Sequence, residues 1–215
     1  MTDWFTDELF PTRDDRFISV RYPVSRLILD PERFEDDSQE VMASRGMGVV
    51  YSKTSSGDPL RGDLSEADRQ ALIDRYYRPH HERLSNAVRE IRARFGSALV
   101  IDCHSFPSLP LPYELDQRVE RPDICLGADK YHTPTWLTEV AMGLFSKEGL
   151  SVEVNRPFAG ALVPLEYFGV DPSVSGLMIE VNRKLYMDEE TGQRSEKFEE
   201  TGVVIRKVCT RLSER

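Results

Sequence analysis

Apolar positions along the chain change rhythm several times. Phe17 to Tyr22 and Arg26 to Asp30 read as short strands on either side of Pro23, and Gly48 to Ser52 reads as a third. Ser65-Glu66-Ala67-Asp68 has the form of a capping box. Beyond it, Leu72, Ile73, Tyr76, Tyr77, Leu84, Val88, Ile91 and Phe95 recur at helical spacing. Pro79 lies inside that pattern without a backbone donor, so a kink or a split is expected there, and Gly96 should end the helix. Ala98 to Ile101 is a continuous apolar run, the signature of a strand buried on both faces in a parallel sheet. Asp123 to Leu126, Ser151 to Asn155 and Leu177 to Val181 read as further strands. Thr133-Pro134 reads as a cap plus first-turn proline for a helix running to about Glu148, with Gly149 as its stop. A last helix is expected over roughly Glu196 to Leu212, carrying Phe198, Val203, Val204 and Val208. Helices alternating with strands predict an α/β fold with a mixed, mostly parallel sheet flanked by helices.

Composition narrows this picture without changing it. The chain has 215 residues, 40% hydrophobic and 30% charged, enough for one core and typical of a soluble globular protein. No internal repeat, low-complexity tract or linker-like stretch interrupts it, so a single domain over 1–215 is the expectation. There is no run of about 18 apolar residues to span a membrane. The first residues lack the basic and apolar regions of a signal peptide. The formal net charge of −9 argues against non-specific nucleic-acid binding, while leaving room for a locally basic pocket. The cysteines, Cys103, Cys125 and Cys209, are odd in number and widely spaced. That excludes a disulfide scaffold and a cysteine-rich zinc site, and makes the cytoplasm the expected compartment.

Four stretches carry candidate chemistry. Asp102-Cys103-His104-Ser105 follows the buried strand, where α/β sheets bind ligands. Its His can ligate a metal or act as a base; alternatively it is a core histidine satisfied by Asp102. In Met178-Ile179-Glu180-Val181-Asn182-Arg183, an ionisable Glu sits in an apolar strand. Burial would raise its pKa toward the range of a general base, and a structural pair with Arg183 is the alternative. Arg26 and Arg33 flank an apolar run, placed either to fork onto a carboxylate or to pair with Asp30, Glu35 or Asp36. In Arg78-Pro79-His80-His81 the adjacent histidines face different sides of a helix, so one can face a site but a shared metal is disfavoured. His132 is expected to cap the helix that follows it.

Together these stretches resemble the N-formylglutamate amidohydrolase family over nearly the whole chain. The carriers are Thr2-Asp3-Trp4-Phe5-Thr6-Asp7-Glu8-Leu9-Phe10, Val24-Ser25-Arg26 through Asp30 to Arg33, Gly46 to Tyr51, and Tyr77 to His81. Ile101-Asp102-Cys103-His104-Ser105-Phe106-Pro107-Ser108, Arg121 to Gly127, Asn155 to Gly160 and Ile179 to Asp188 complete the set, in the family's order. The resemblance implies a fold like that of zinc carboxypeptidases and aspartoacylases, with a mixed sheet of about eight strands. It implies a zinc-dependent amidohydrolase cleaving an N-acyl, typically N-formyl, amide of an acidic amino acid such as glutamate.

By the same resemblance His104 and Asp3 are metal ligands, with Asp102 and Ser105 beside them in support. Glu180 activates the attacking water and Arg26 polarises the scissile carbonyl. Arg33, Asn155, Arg183 and His81 contact the substrate, and Asp102, His104, Glu180, Arg26 and Arg33 are expected to converge on one cleft. Asp-Pro-Glu-Arg stands at Asp30 to Arg33 where relatives carry Asp-x-Asn-Arg, so an Asn amide is absent. Relatives also open with a strand ending in a Pro-His-Ser-like segment that supplies a first metal-binding His. The chain as given starts beyond that point, so weak zinc binding and an uncovered sheet edge favouring homo-oligomers are expected. The alternatives are a metal-free binding or regulatory protein that keeps the pocket, and an amidase acting on γ-glutamyl or cell-wall amides. The expected partner is a small acidic N-acyl amino acid, with no nucleic acid or membrane.

Overall fold

The computed structural model describes residues 2–12 and 14–214. In chain order the helices and strands are α1 (Thr6–Leu9), α2 (Glu66–Leu72), α3 (Arg78–Phe95), β1 (Ala98–Phe106), β2 (Ile124–Gly127), α4 (Thr135–Lys147), β3 (Val152–Val154), β4 (Val174–Asn182) and α5 (Phe198–Ser213). Among the described residues no helix is long and apolar enough to cross a membrane. The chain divides into two compact units. The first is Val20–Ala87 with Leu111–Gln117, and the second is Asp3–Ser19, Val88–Pro110 and Arg118–Arg215.

The second unit holds the sheet, a mixed four-stranded array in the order β1-β4-β2-β3. β1 runs parallel to β4 through nine paired residues, β2 runs antiparallel to β4, and β3 runs parallel to β2. Among the described residues the sheet is thus half the size that the family resemblance implied. β4 is central and buried along nearly its whole length. Among the described residues β1 pairs with β4 alone, and Leu99 to Ile101, expected to be buried on both faces, are partly exposed. The apolar sides of α4 and α5 cover the sheet. Leu137, Ala141 and Phe145 join Ile205, Val208, Cys209 and Leu212 in one core with Ile124, Leu126, Leu177, Ile179 and Val181. Leu9, the last residue of α1, and Phe10 after it enter the same core. Burying so much apolar side-chain area is the main source of this unit's stability.

The expected cap at Thr133 is not formed. The Thr133 hydroxyl donates to Gly176 O at 2.6 Å and accepts from Asp129 N at 2.8 Å, so Pro134 stands at the start of α4 instead. His132 does not cap either. It is buried, its Nδ1–H donates to Val174 O at 2.8 Å, and its Nε2 accepts from Gly169 N at 2.7 Å. Gly149 ends α4 with φ +80° and Gly96 ends α3 with φ +81°, a backbone shape that glycine adopts without strain.

Among the described residues, none of the three strands expected between Phe17 and Ser52 forms. Arg26 to Leu29 forms a turn closed by Ile28 N to Ser25 O at 2.9 Å. Gly48 to Ser52 bends so that Ser52 N returns to Gly46 O at 2.9 Å. Phe17 to Tyr22, which runs from one unit into the other, forms no ladder. The apolar residues are buried all the same, by packing rather than strand pairing. Leu29 and Val49 meet Ile73 and Tyr77 in one cluster, while Met42, Met47 and Tyr51 form another. A short apolar run specifies burial and does not choose the backbone that achieves it. Ser65 caps α2 as expected, accepting from Asp68 N at 3.1 Å. Ahead of Pro79 the helix widens into a π turn over Ile73–Tyr77, then resumes as α3. Widening is one way a helix accommodates a missing donor without breaking.

Candidate active site

His104 lies two residues before the end of β1, and its register partner Glu180 lies two before the end of β4. Directly paired residues of parallel neighbours face the same side, with strands about 4.8 Å apart. The register therefore places Glu180 beside His104. Cys125, the antiparallel partner of Glu180, extends the row to β2. Side chains alternate along a strand, so Asp102, His104 and Phe106 share this face. The position is the carboxyl end of a parallel strand pair, where α/β sheets place ligands.

Both ring nitrogens of His104 face carboxylates. Nε2 lies 2.8 Å from Asp102 Oδ1 and Nδ1 lies 3.4 Å from Asp3 Oδ1. Burial alone would lower this imidazole's pKa, but the charges of Asp102 and Asp3, with their hydrogen bonds, raise it well above its ordinary value. Asp102 is fixed in turn, because its Oδ2 accepts from Leu162 N at 3.3 Å. Asp3 is fixed by Ser105, whose backbone N–H donates to its Oδ1 at 3.0 Å. The segment around Asp3 is pinned as well. Tyr186 donates to Trp4 O at 2.9 Å, and the Phe5 ring packs edge-on against Phe198 at 5.6 Å.

The remaining expected site residues fall into two groups. In this unit, Arg183 donates from Nε to Ser105 Oγ at 3.2 Å and from Nη2 to Ser105 O at 3.1 Å. It thereby ties the turn after β4 to the end of β1. Asn155 follows β3 with φ +57°, and its Oδ1 accepts from Ala128 N at 2.7 Å.

Arg26, Arg33 and His81 belong to the first unit. His81 stacks on Tyr77 at 4.1 Å, and its Nε2 lies 2.9 Å from Pro31 O. A carbonyl can only accept, so Nε2 carries the proton and Nδ1 presents a lone pair. Arg33 pairs with Asp30 at 3.5 Å and with Glu40 at 3.6 Å. Of the pairing candidates read from the sequence, Asp30 is thus realised for Arg33. Arg26 Nη1 stands 3.9 Å from the same Asp30.

Sequence reasoning missed Tyr51, Glu40 and Arg121. Tyr51 and Glu40 meet Asp30 and Arg33 only through the folded chain. Arg121 is buried against the rings of Phe106 and Phe158, at 5.7 and 5.9 Å. No short spacing pattern could have announced these contacts.

Fold and cluster together define an α/β protein with a buried acid–base site at the carboxyl ends of sheet strands. The family model described as N-formylglutamate amidohydrolase matches residues 1–187, and the chain belongs to that family. It is 26% identical over 219 residues to an N-formylglutamate deformylase of Pseudomonas aeruginosa, covering 98% of this chain and 81% of the relative. Among solved structures, it is similar to an N-formylglutamate amidohydrolase from Ralstonia eutropha JMP134, with a TM-score of 0.72 and 26% identity. That match covers 88% of this chain and 74% of the other. A gene product of Agrobacterium tumefaciens shares the fold, with a TM-score of 0.63 at 23% identity, over 88% of this chain and 68% of the other.

Proposed function

We propose that this protein is a zinc-dependent amidohydrolase that cleaves the N-formyl amide of glutamate, releasing formate and the free amino acid. The observation that carries this reading is the arrangement around His104, with a carboxylate at each ring nitrogen and Glu180 beside it in register. The name of the Pseudomonas relative, a deformylase of N-formylglutamate, supports the substrate.

His104 and Asp3 supply two of the three protein ligands that a catalytic zinc usually takes. The charges of Asp102 and Asp3 favour the protonated imidazole, with Nε2–H on Asp102 and Nδ1–H facing the Asp3 carboxylate at 3.4 Å. A metal cation between Nδ1 and Asp3 would take the place of that proton. A carboxylate on the far nitrogen is the usual support of a metal-ligating imidazole. His104 and Asp3 would therefore hold the metal, and Asp102 would set the tautomer. Bound zinc supplies Lewis acidity and lowers the pKa of water toward about 7.

The chain's own groups would do the rest. Glu180 would take the proton of the attacking water and pass it to the departing amine. Arg26 would stabilise the developing oxyanion, and Arg33 would hold a substrate carboxylate. Arg183 would act through Ser105, keeping the end of β1 in place. His81 and Asn155 would reach the substrate through the groups left after their internal bonds, Nδ1 and Nδ2.

The test is formate release from N-formyl-L-glutamate as zinc is added, for the natural chain and for Glu180→Gln. The expectation is zinc-dependent turnover that falls about 10²–10⁴-fold in the variant. No release at saturating zinc, or a variant within twofold of the natural chain, would overturn the reading.

A further inference from the structure

Asp30 has no assigned task, yet it is the most enclosed charged side chain of the first unit, with 0% exposure. A buried carboxylate demands compensating partners. The Tyr51 hydroxyl donates to Oδ2, and the Glu32 backbone N–H donates to Oδ1 at 3.0 Å. The backbone is held too, since Asp30 N donates to Val49 O at 2.8 Å. Tyr51 is itself packed among Met42 and Met47. Burial, and then the charge of Asp30, push the Tyr51 hydroxyl well above its ordinary pKa, so it remains a donor.

Arg33 faces this fixed charge. Its Nε is buried 3.5 Å from Asp30 Oδ2 without a hydrogen bond of its own, so attraction rather than a directed bond holds that side. Nη1 lies 3.6 Å from Glu40. Glu40 is fixed by capping the turn Val41–Arg45, where its Oε1 accepts from Met42 N at 2.9 Å. Asp30, Tyr51 and Glu40 thus gather on the guanidinium, and the side chain keeps 23% exposure. A planar fork held on two sides can present its third nitrogen in only one direction.

We propose that Asp30, locked by Tyr51, is a positioning residue that aims Arg33 Nη2 at the substrate carboxylate. This rests on the reading of Arg33 as carboxylate anchor given under Proposed function. Asp30 touches no substrate. It limits the directions the guanidinium can take, and an ordered anchor binds more tightly than a wandering one because less freedom is lost on binding.

The test compares N-formyl-L-glutamate with its two monoamides, N-formyl-L-glutamine and N-formyl-L-isoglutamine. The chains are the natural protein, Arg33→Ala, Asp30→Asn and Tyr51→Phe. KM and kcat are measured separately, with calorimetric binding of the same compounds where turnover is slow. Arg33→Ala should raise KM for the diacid about 10- to 100-fold and leave the amide that lacks the anchored carboxylate unchanged. Asp30→Asn should give the same selective rise in KM, about tenfold. Tyr51→Phe removes one hydroxyl from a preserved ring and should give a smaller rise of the same selectivity, so it decides the matter if Asp30→Asn does not fold.

Equal losses on all three compounds, accompanied by a lower Tm, would make Asp30 merely structural and overturn the proposal. A selective response to Arg33→Ala with none to folded Asp30→Asn or Tyr51→Phe would overturn it alone. No selectivity in Arg33→Ala would remove the anchor reading and this inference with it.

Discussion

Replacing Asp102 by Asn tests the arrangement at His104 almost without changing shape. The Asp102 carboxylate accepts two protons, from His104 Nε2–H at 2.8 Å and from Leu162 N–H at 3.3 Å. An Asn amide has one carbonyl oxygen and cannot satisfy both. If the oxygen stays on His104, the amide NH₂ faces Leu162 N–H, and a buried donor loses its partner at a cost of about 1–3 kcal/mol. If the oxygen turns to Leu162, the NH₂ faces Nε2. The imidazole must then carry its proton on Nδ1, the nitrogen that faces Asp3, and can no longer offer zinc a lone pair there. In either case a neutral group replaces the charge that orients the ring. Groups that orient a metal-ligating His are worth about 10- to 100-fold in metal affinity or activity, or about 1.4–2.7 kcal/mol. The assay is zinc titration of the stripped protein, followed by metal content and formate release, with far-UV circular dichroism to confirm folding. Asp102→Asn should weaken zinc binding by that factor and lower turnover in parallel. A folded variant with zinc affinity and turnover within twofold of the natural chain would show that Asp102 does not set the tautomer, and the assignment of Nδ1 to the metal would fall.

Three other outcomes can be checked more simply. Burial tends to raise the Asp123 pKa, but hydrogen bonds from Ser151 and the charge of Lys184 hold it below the ordinary carboxylate value. Its contribution is thus present above the unfolded pKa near 3.9 and is lost as pH falls through the lower folded value. Asp123→Asn should therefore be less stable in urea unfolding at pH 7, by at most about 1 kcal/mol for so exposed a pair, and converge with the natural chain at acid pH below the lowered folded value. Equal destabilisation at both pH values would contradict the charge argument. A Cβ on Gly127 would lie 2.2 Å from Gly160 O and 2.3 Å from Met178 Cε, so Gly127→Ala should cost about 1–3 kcal/mol, whereas a Tm unchanged within 1 °C would mean that the loop moves aside freely. Burial raises all three thiols, Cys125 and Cys209 to about 12. Native protein should accordingly react with a thiol reagent at pH 8 far more slowly than protein in guanidinium, and prompt labelling of a native thiol would refute this.

The sequence by itself determined the elements whose signals are local. The Ser65 cap, the stops at Gly96 and Gly149, the last helix and all four strands of the second unit follow from periodicity and from glycine and proline chemistry, which act within one or two turns. His104 and Glu180 stood out for a related reason: an ionisable residue in an apolar strand needs a partner or a task, and the strand alone leaves both open. Tertiary structure decided what depends on partners distant in the chain. Only the pairing of β1 with β4 brings Glu180 beside His104, and it does so in register. Only packing turned the apolar runs at Arg26 to Asp30 and Gly48 to Ser52 into bends rather than strands, because burial constrains the side chain and leaves the backbone open. Ion pairing was undecidable for the same reason. Asp30, Glu35 and Asp36 are all within sequence reach of Arg33, yet Asp30 is its partner, together with Glu40, because Tyr51 and the cap at Met42 hold those two carboxylates in place. Charge attracts at any sequence separation, and only a folded chain fixes which opposite charges are close enough to matter.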